Sequence, residues 1–258
     1  MDEQRAFTHL PFHQIAATDK ARQLGLVTLE TDLTIEDEVR FFLGGSTPLS
    51  VSLLHTRIAM DDEVTADTLT SMEARFADTL ALYPSDFHFD VIGYGCTSAS
   101  LLIGEDRIQQ IIKSHVDVAH VTTPITAAKR ALDKLGAKNI GYLAPYISEI
   151  SQQMCDKFTA DGYPVHGAAT FGESRDSIVG SIAPDAILDA LITLADATPD
   201  IDAIFVSCTS LKCASIIEDA EAQLGIPVIS SNSAMAWDMI RLGHVEVDTS
   251  GKGRLFTS

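Results

Sequence analysis

Positive charge is scarce in this sequence. Only 18 Lys and Arg residues stand against 36 Asp and Glu, which leaves a formal net charge of −18. A surface of that sign repels phosphate backbones and anionic bilayers, so nucleic acid and membranes are poor partners. Aromatic residues are few as well, at 7%, so the core must be mostly aliphatic. No apolar run approaches the length that spans a bilayer. The opening residues, Met-Asp-Glu-Gln-Arg, lack the basic stretch and apolar segment of a secretory signal. Four cysteines in 258 residues form no disulfide framework. Together these absences predict a cytoplasmic protein with free thiols. Its length and its 46% hydrophobic content are enough for a sizeable core.

One short stretch occurs twice. Asp90-Val-Ile-Gly-Tyr-Gly-Cys96-Thr97-Ser98 is echoed by Asp202-Ala-Ile-Phe-Val-Ser-Cys208-Thr209-Ser210. Each is an aspartate, a short apolar run, then Cys-Thr-Ser. Such a run, followed by small polar residues and a helical pattern, predicts a buried parallel strand leading into a helix. The repeat extends further. Gln23-Leu-Gly25-Leu-Val matches Asn139-Ile-Gly141-Tyr-Leu upstream, and Val121-Thr-Thr-Pro matches Val228-Ile-Ser-Ser downstream. The order is the same in both copies and the spacings are nearly equal. The predicted fold is therefore α/β: two pseudosymmetric halves, each a short parallel sheet flanked by helices, with a cleft between them.

Along the chain, strands are predicted at 24–29, 51–55, before Cys96, at 116–121, 140–144, 164–169, 202–207 and 226–230. Thr34 is placed to cap a helix to about Leu43, Gly44-Gly45-Ser-Thr-Pro48 reads as a turn, and residues 65–82 as an amphipathic helix. A polar arm with a short helix precedes residue 23. In the second half, helices are predicted at 148–160, 184–195 and 211–223, with a loop at 171–176. The last helix, about Ser233 to Leu242, follows the second half and can cross back to the first. That gives an N-terminal half of 1–121 plus 232–258 and a C-terminal half of 122–231.

The chemistry sits at the two Cys-Thr-Ser corners. In open α/β sheets ligands bind at the carboxyl ends of strands, and a helix N-terminus lowers a thiol's pKa. Two thiols on opposite sides of a small substrate suit two kinds of reaction. One thiolate can take a proton from carbon while the other thiol delivers one to the opposite face. Alternatively, one thiolate adds to an activated double bond and the other thiol supplies the proton. Thr97, Ser98, Thr209 and Ser210 offer hydroxyls and backbone N–H groups for a carboxylate. Tyr146 ends the first strand of the second half, Asp32 follows the matching strand of the first, and both are expected in the cleft. Asn232 ends the last strand and can cap the final helix. A buried free cysteine is ordinarily a small hydrophobe; Cys155 and Cys213 fit that description, whereas the paired context sets Cys96 and Cys208 apart. Lys212 reads as solvated. Gly93-Tyr-Gly95 lacks the dinucleotide spacing and the eight histidines form no HExxH pattern, so no cofactor and no metal are expected. A metal held by Cys96, Cys208 and one His is the weak alternative.

These motifs resemble the aspartate/glutamate racemase superfamily, including its maleate cis–trans isomerases, arylmalonate decarboxylases and racemase-like ectoine-utilisation proteins. The likeness rests on Thr31-Asp32-Leu-Thr34-Ile-Glu36, Gly93-Tyr-Gly-Cys96-Thr-Ser98, Leu143-Ala-Pro-Tyr146, Ser207-Cys208-Thr-Ser210 and Ser230-Ser-Asn232. It implies a cofactor-independent enzyme in which Cys96 and Cys208 act on a small carboxylate, Thr97 and Ser98 join the anion site, and Tyr146 hydrogen-bonds substrate. The chain departs from its relatives in three ways. Ser210 stands where glutamate racemases carry a histidine. Cys96 is present, whereas arylmalonate decarboxylases use only the second cysteine. Asp32 replaces the asparagine of maleate isomerases, and a carboxylate there disfavours a dicarboxylate and favours an amine or amide. The resemblance thus implies an isomerase or racemase for an amino-acid derivative, with ectoine breakdown as one setting. The alternatives are a maleate isomerase with Cys96 as nucleophile, an arylmalonate-type decarboxylase, or a ligand sensor with retained cysteines. Assembly into a homo-oligomer is left open.

Overall fold

The computed structural model describes residues 8–14, 21–44, 50–60, 71–173 and 175–258. Among the described residues, eight strands form two four-stranded sheets with every neighbouring pair parallel. The first sheet contains β1 (Arg22–Leu29), β2 (Val51–Ile58), β3 (Phe89–Gly95) and β4 (Val118–Thr122), in the order β2-β1-β3-β4. The second contains β5 (Ile140–Ala144), β6 (Val165–Thr170), β7 (Ala203–Val206) and β8 (Val228–Ser230), in the order β6-β5-β7-β8. The two orders are the same topology written twice, so the predicted duplicated α/β fold is present.

The side-chain detail of the repeat is also duplicated. Gly25 pairs with Ile92 across β1 and β3, and Gly141 pairs with Ile204 across β5 and β7. A Cβ on Gly25 would meet the Ile92 side chain at 2.7 Å, and one on Gly141 would meet Ile201 at 2.8 Å. A larger residue at either position would force the neighbouring core side chains to move. The two repeated aspartates also act alike. Asp90 accepts the Gln23 backbone N–H at 2.7 Å, and Asp202 accepts the Asn139 backbone N–H at 3.0 Å. Each aspartate ties the start of its own strand to the start of the adjacent first strand.

Helices cover both sheets. Pro124–Leu135 begins with Thr123 as its cap and Pro124 in the first turn, and it ends on Gly136 at φ 70. Ser231–Leu242 begins with a reciprocal cap between Ser230 and Ser233. This helix lies on the first sheet: the sulfurs of Met235 and Met239 fill the space that a Cβ on Gly93 would need; a short helix, Arg254–Thr257, follows it. Among the described residues, no helix is long and apolar enough to cross a membrane.

Several local expectations are corrected. Thr34 does not cap the helix Ile35–Leu43. Asp32 does so instead, its Oδ1 accepting the N–H groups of Thr34 and Ile35 at 2.8 and 2.9 Å, and the Thr34 hydroxyl donates to the Ser210 carbonyl. Asn232 does not cap the helix Ser231–Leu242 either, since Ser230 holds that position. The segment after Cys208 stays irregular until the helix Ile217–Leu224. The predicted loop at 171–176 ends in a short helix, Asp176–Val179. Of the predicted helix at 65–82, residues 72–75 form a 3-10 turn and 76–80 a short helix; 65–70 lie outside the described residues. The predicted turn over 45–48 and most of the N-terminal arm lie outside them too.

Candidate active site

In each sheet the strand order reverses direction beside the first strand, and the crevice at such a point is where α/β sheets bind ligands. Asp32 follows β1 and Cys96 follows β3. Tyr146 follows β5 and Cys208 follows β7. The two crevices meet at one buried polar cluster.

Ser231 joins the two corners. Its Oγ lies 2.8 Å from the Thr97 hydroxyl and accepts the Cys208 backbone N–H at 3.1 Å. The Thr209 hydroxyl donates back to the Gly95 carbonyl at 3.4 Å. Each Cys-Thr-Ser stretch is thus bonded to the other half's corner.

The corners differ in backbone. Cys96 caps the helix Thr97–Ile103, its sulfur accepting the Ala99 N–H at 3.4 Å, with the Ser98 hydroxyl 3.6 Å away. Cys208 has φ 121, a conformation that costs a non-glycine residue. No helix starts beside Cys208, so the predicted helix N-terminus is present for Cys96 alone. Nor is either thiol acidified. Burial pushes the Cys96 thiol up to about 12, and the Ala99 N–H and Ser98 hydroxyl offset only part of that. Burial raises Cys208 as well, with the Asp176 carboxylate adding to it and contacts from the Ser210 N–H and the Tyr146 hydroxyl opposing it. Both thiols are therefore protonated at neutral pH.

The remaining predicted residues gather here. Asp32 is fully buried; its Oδ2 has no hydrogen-bond partner, although the Thr209 hydroxyl is near enough to lower its pKa. Burial dominates and holds Asp32 above the usual carboxylate range. Tyr146 is buried, and its hydroxyl faces Cys208 and feels Cys96. Asn232 donates to Glu38 Oε2 at 2.9 Å and to the Thr209 carbonyl at 2.8 Å, and its own Oδ1 is buried without a partner. Ser210 donates to Asp176 Oδ1 at 2.8 Å.

Three residues of the cluster went unnoticed in the sequence. Asp176 is buried and accepts the Thr31 hydroxyl at 2.6 Å with its other oxygen. Glu38 accepts the Ala214 N–H at 2.7 Å and the Asn232 amide, and burial pushes its carboxyl up to about 7. Ser231 is the middle residue of Ser230-Ser231-Asn232, where nothing local marks it as the link between the corners. Cys155 and Cys213 lie elsewhere: Cys155 is half-buried in the helix Ser148–Ala160, and Cys213 is buried beside Glu38. Among the described residues, no grouping of three His, Cys, Asp or Glu side chains has metal-holding geometry. A pocket of about 620 Å³ lined by Glu105, Arg107, Lys129 and Arg130 lies away from both cysteines.

The pattern of the arylmalonate decarboxylase family matches residues 89–256. The chain belongs to the arylmalonate decarboxylase family. Within this group it is 25% identical to a maleate isomerase of Nocardia farcinica over 242 residues, 91% of this chain and 95% of that protein. An arylmalonate decarboxylase of Bordetella bronchiseptica is 29% identical over 136 residues, 52% of this chain and 57% of that one. The solved maleate isomerase of Pseudomonas putida shares the fold with a TM-score of 0.83 at 23% identity, covering 93% of this chain and 99% of its own. A cysteine-to-serine variant of the Nocardia farcinica maleate cis–trans isomerase, with a covalently bound succinylcysteine intermediate, matches with a TM-score of 0.81 at 23% identity over 92% and 98%. The resemblance to maleate isomerases and arylmalonate decarboxylases read from the motifs holds. This member of the arylmalonate decarboxylase family is an enzyme, and an isomerase by the relatives that match it nearly end to end.

Proposed function

We propose that this enzyme is a two-cysteine isomerase or racemase acting in the cytoplasm on a small carboxylate that is an amino-acid derivative. The observation that carries this reading is the joining of the two Cys-Thr-Ser corners through Ser231, with Asp32, Asp176 and Tyr146 as shared neighbours of both sulfurs. The active centre lies between an N-terminal half of 1–121 plus 232–258 and a C-terminal half of 122–231. Ectoine breakdown, implied by the motifs, is the proposed setting.

Cys96 and Cys208 are the reacting pair. One, as thiolate, takes the proton from the carbon next to the substrate carboxylate. The electron pair is held as an enolate while the other thiol returns a proton to the opposite face. Thr97, Ser98, Thr209 and Ser210 frame the carboxylate, the Ser98 hydroxyl and backbone N–H groups of the two stretches donating as its charge grows, since the Thr209 and Ser210 hydroxyls already donate to Gly95 and Asp176. Tyr146 hydrogen-bonds the substrate, and Asp32 and Asn232 meet its far end. No cofactor enters this scheme. Burial keeps both resting thiols neutral, so one must lose its proton first.

A second reading is cis–trans isomerisation of maleate, favoured by relatives of that activity that match 91% of the chain. The Cys96 thiolate adds to one alkene carbon and the Cys208 thiol protonates the other. Rotation about the new single bond and reversal of both steps gives the trans acid.

Proton NMR in D2O tests both readings, with amino-acid derivatives and maleate as substrates. Exchange of the α-proton supports the first reading, and conversion of the alkene signal supports the second. Cys96→Ser and Cys208→Ser should each abolish the reaction. Full turnover by either variant would remove the two-thiol mechanism.

A further inference from the structure

The site gathers three acidic side chains and no cation among the described residues. Asp32, Asp176 and Glu38 are all buried, and their charges act on one another. Buried carboxylates are ordinarily paired with a cation, because leaving water is costly for an ion. Among the described residues, no Lys, Arg or His pairs with any of the three. Arg57 is nearby, but it donates to the carbonyls of Leu29, Glu30 and Asp32 and to the Glu36 carboxylate. The Arg175 guanidinium is bonded to Glu173, and Lys212 is exposed.

The three carboxylates are not equally free. Both Glu38 oxygens accept, from Ala214 and Asn232. Both Asp176 oxygens accept, from Thr31 and Ser210. Asp32 uses only Oδ1, on the helix it caps, and Oδ2 is the buried acceptor left without a partner. The thiols and Tyr146 beside it are neutral groups and cannot balance its charge.

We propose that Asp32 Oδ2 receives the ammonium group of the substrate, with the Asp176 carboxylate as the second negative charge, so that the substrate class is small amino carboxylates with a free amine. This rests on the reading of Cys96 and Cys208 as the reacting pair and adds what holds the substrate's other end. An ammonium carries three donors and the full positive charge that would offset the carboxylates. A dicarboxylate brings a further negative charge to the same place. Asp176 is a specificity-determining residue in this arrangement: the hydroxyls of Thr31 and Ser210 fix its position, and its charge reaches both sulfurs.

Isothermal titration of the wild-type, Asp176→Asn and Asp32→Asn proteins tests this, with alanine, β-alanine and 2,4-diaminobutyrate set against succinate and maleate. The wild type is expected to bind at least one amine probe more tightly than either dicarboxylate. Each substitution should weaken that amine tenfold or more and tighten maleate. Thr31 and Ser210 can bond an amide as they do a carboxylate, and Asp32→Asn carries the test alone where Asp176→Asn does not fold. Equal or tighter binding of maleate by the wild type overturns the proposal. So does unchanged amine affinity in the folded variants, or no binding of any amine. A Cys96→Ala protein titrated in parallel separates the two readings. Amine binding that still depends on Asp32 and Asp176, in a protein whose cysteines prove dispensable for turnover, supports the ammonium site and removes the two-thiol mechanism.

Discussion

The Thr97 hydroxyl lies 2.8 Å from Ser231 Oγ, and through that atom the first cysteine corner is tied to the backbone N–H of Cys208. Ser231 is fully buried. Its replacement by Ala leaves a buried N–H without an acceptor, a loss of about 1–3 kcal/mol. It also frees Cys208 from the bond that helps hold its unfavourable backbone. Ser231→Ala should therefore lower stability by that amount in denaturant titration and reduce kcat in protein that remains folded. Unchanged stability and kcat would mean that the two corners are held by something else.

Cys208 itself offers a sharper test of backbone strain. At φ 121 a side chain costs about 1–3 kcal/mol relative to glycine. Cys208→Gly and Cys208→Ala both remove the thiol and should both be inactive. Yet the glycine variant should be more stable than the alanine variant by about 1 kcal/mol, the reverse of the usual ranking in regular structure. Thermal melts of the pair decide it; an alanine variant as stable as the glycine one would show that the corner carries no strain.

Cys155 and Cys213 have no counterpart in the other half of the chain. Cys155 is half-buried on a helix, and Cys213 is buried with its thiol beside Glu38. Cys155→Ala should leave both stability and turnover nearly intact. Cys213→Ala should cost some stability through lost packing while kcat in folded protein stays close to wild type. A large fall in kcat for either would point to the wrong pair of thiols.

The features legible in the sequence are those built from short-range pattern. The Asp-to-Cys stretches read as strands because a fully buried parallel strand is a continuous apolar run. The matching Gly25 and Gly141 marked the two first strands before their Ile partners were known. What remained hidden depends on distant partners. The residues after Cys208 have a helical pattern from Leu211 onward, but Glu38, from the other half of the chain, takes the Ala214 N–H and the helix starts only at Ile217. Asp176 is one aspartate in a loop, with no local sign that Thr31 lies against it. Thr34 looked like a cap because threonine often is one, but the buried Asp32 has the better acceptor for those N–H groups. The acidified thiols expected at helix ends were outweighed by burial, which no local motif encodes.

Glu38 makes the protein's stability depend on pH in a direction opposite to ordinary acid denaturation. Its carboxyl is pushed from 4.5 up to about 7, first by burial and with Asp32 adding to the effect, against hydrogen bonds from Ala214 and Asn232. The folded protein therefore keeps this proton in a range where the unfolded chain has already lost it. Stability from this group is fully present below about pH 4.5 and is lost as pH rises to about 7. Above that both states are ionised and the contribution no longer changes. A tenfold change in proton affinity corresponds to about 1.4 kcal/mol, so the loss across the whole window is about 3 kcal/mol. Asp32, also raised, acts in the same direction. Glu38→Gln removes the titration and keeps the side chain's shape; its amide oxygen can still accept from Ala214 or Asn232, and any bond lost there lowers stability equally at both pH values. Guanidinium titrations of both proteins at about pH 5 and about pH 7.5, which bracket most of that window, read the difference. The wild type should lose about 2 kcal/mol more than Glu38→Gln between the two conditions. Equal losses would place the ionisation of Glu38 at its ordinary pH and mean that its buried carboxylate is balanced by a cation.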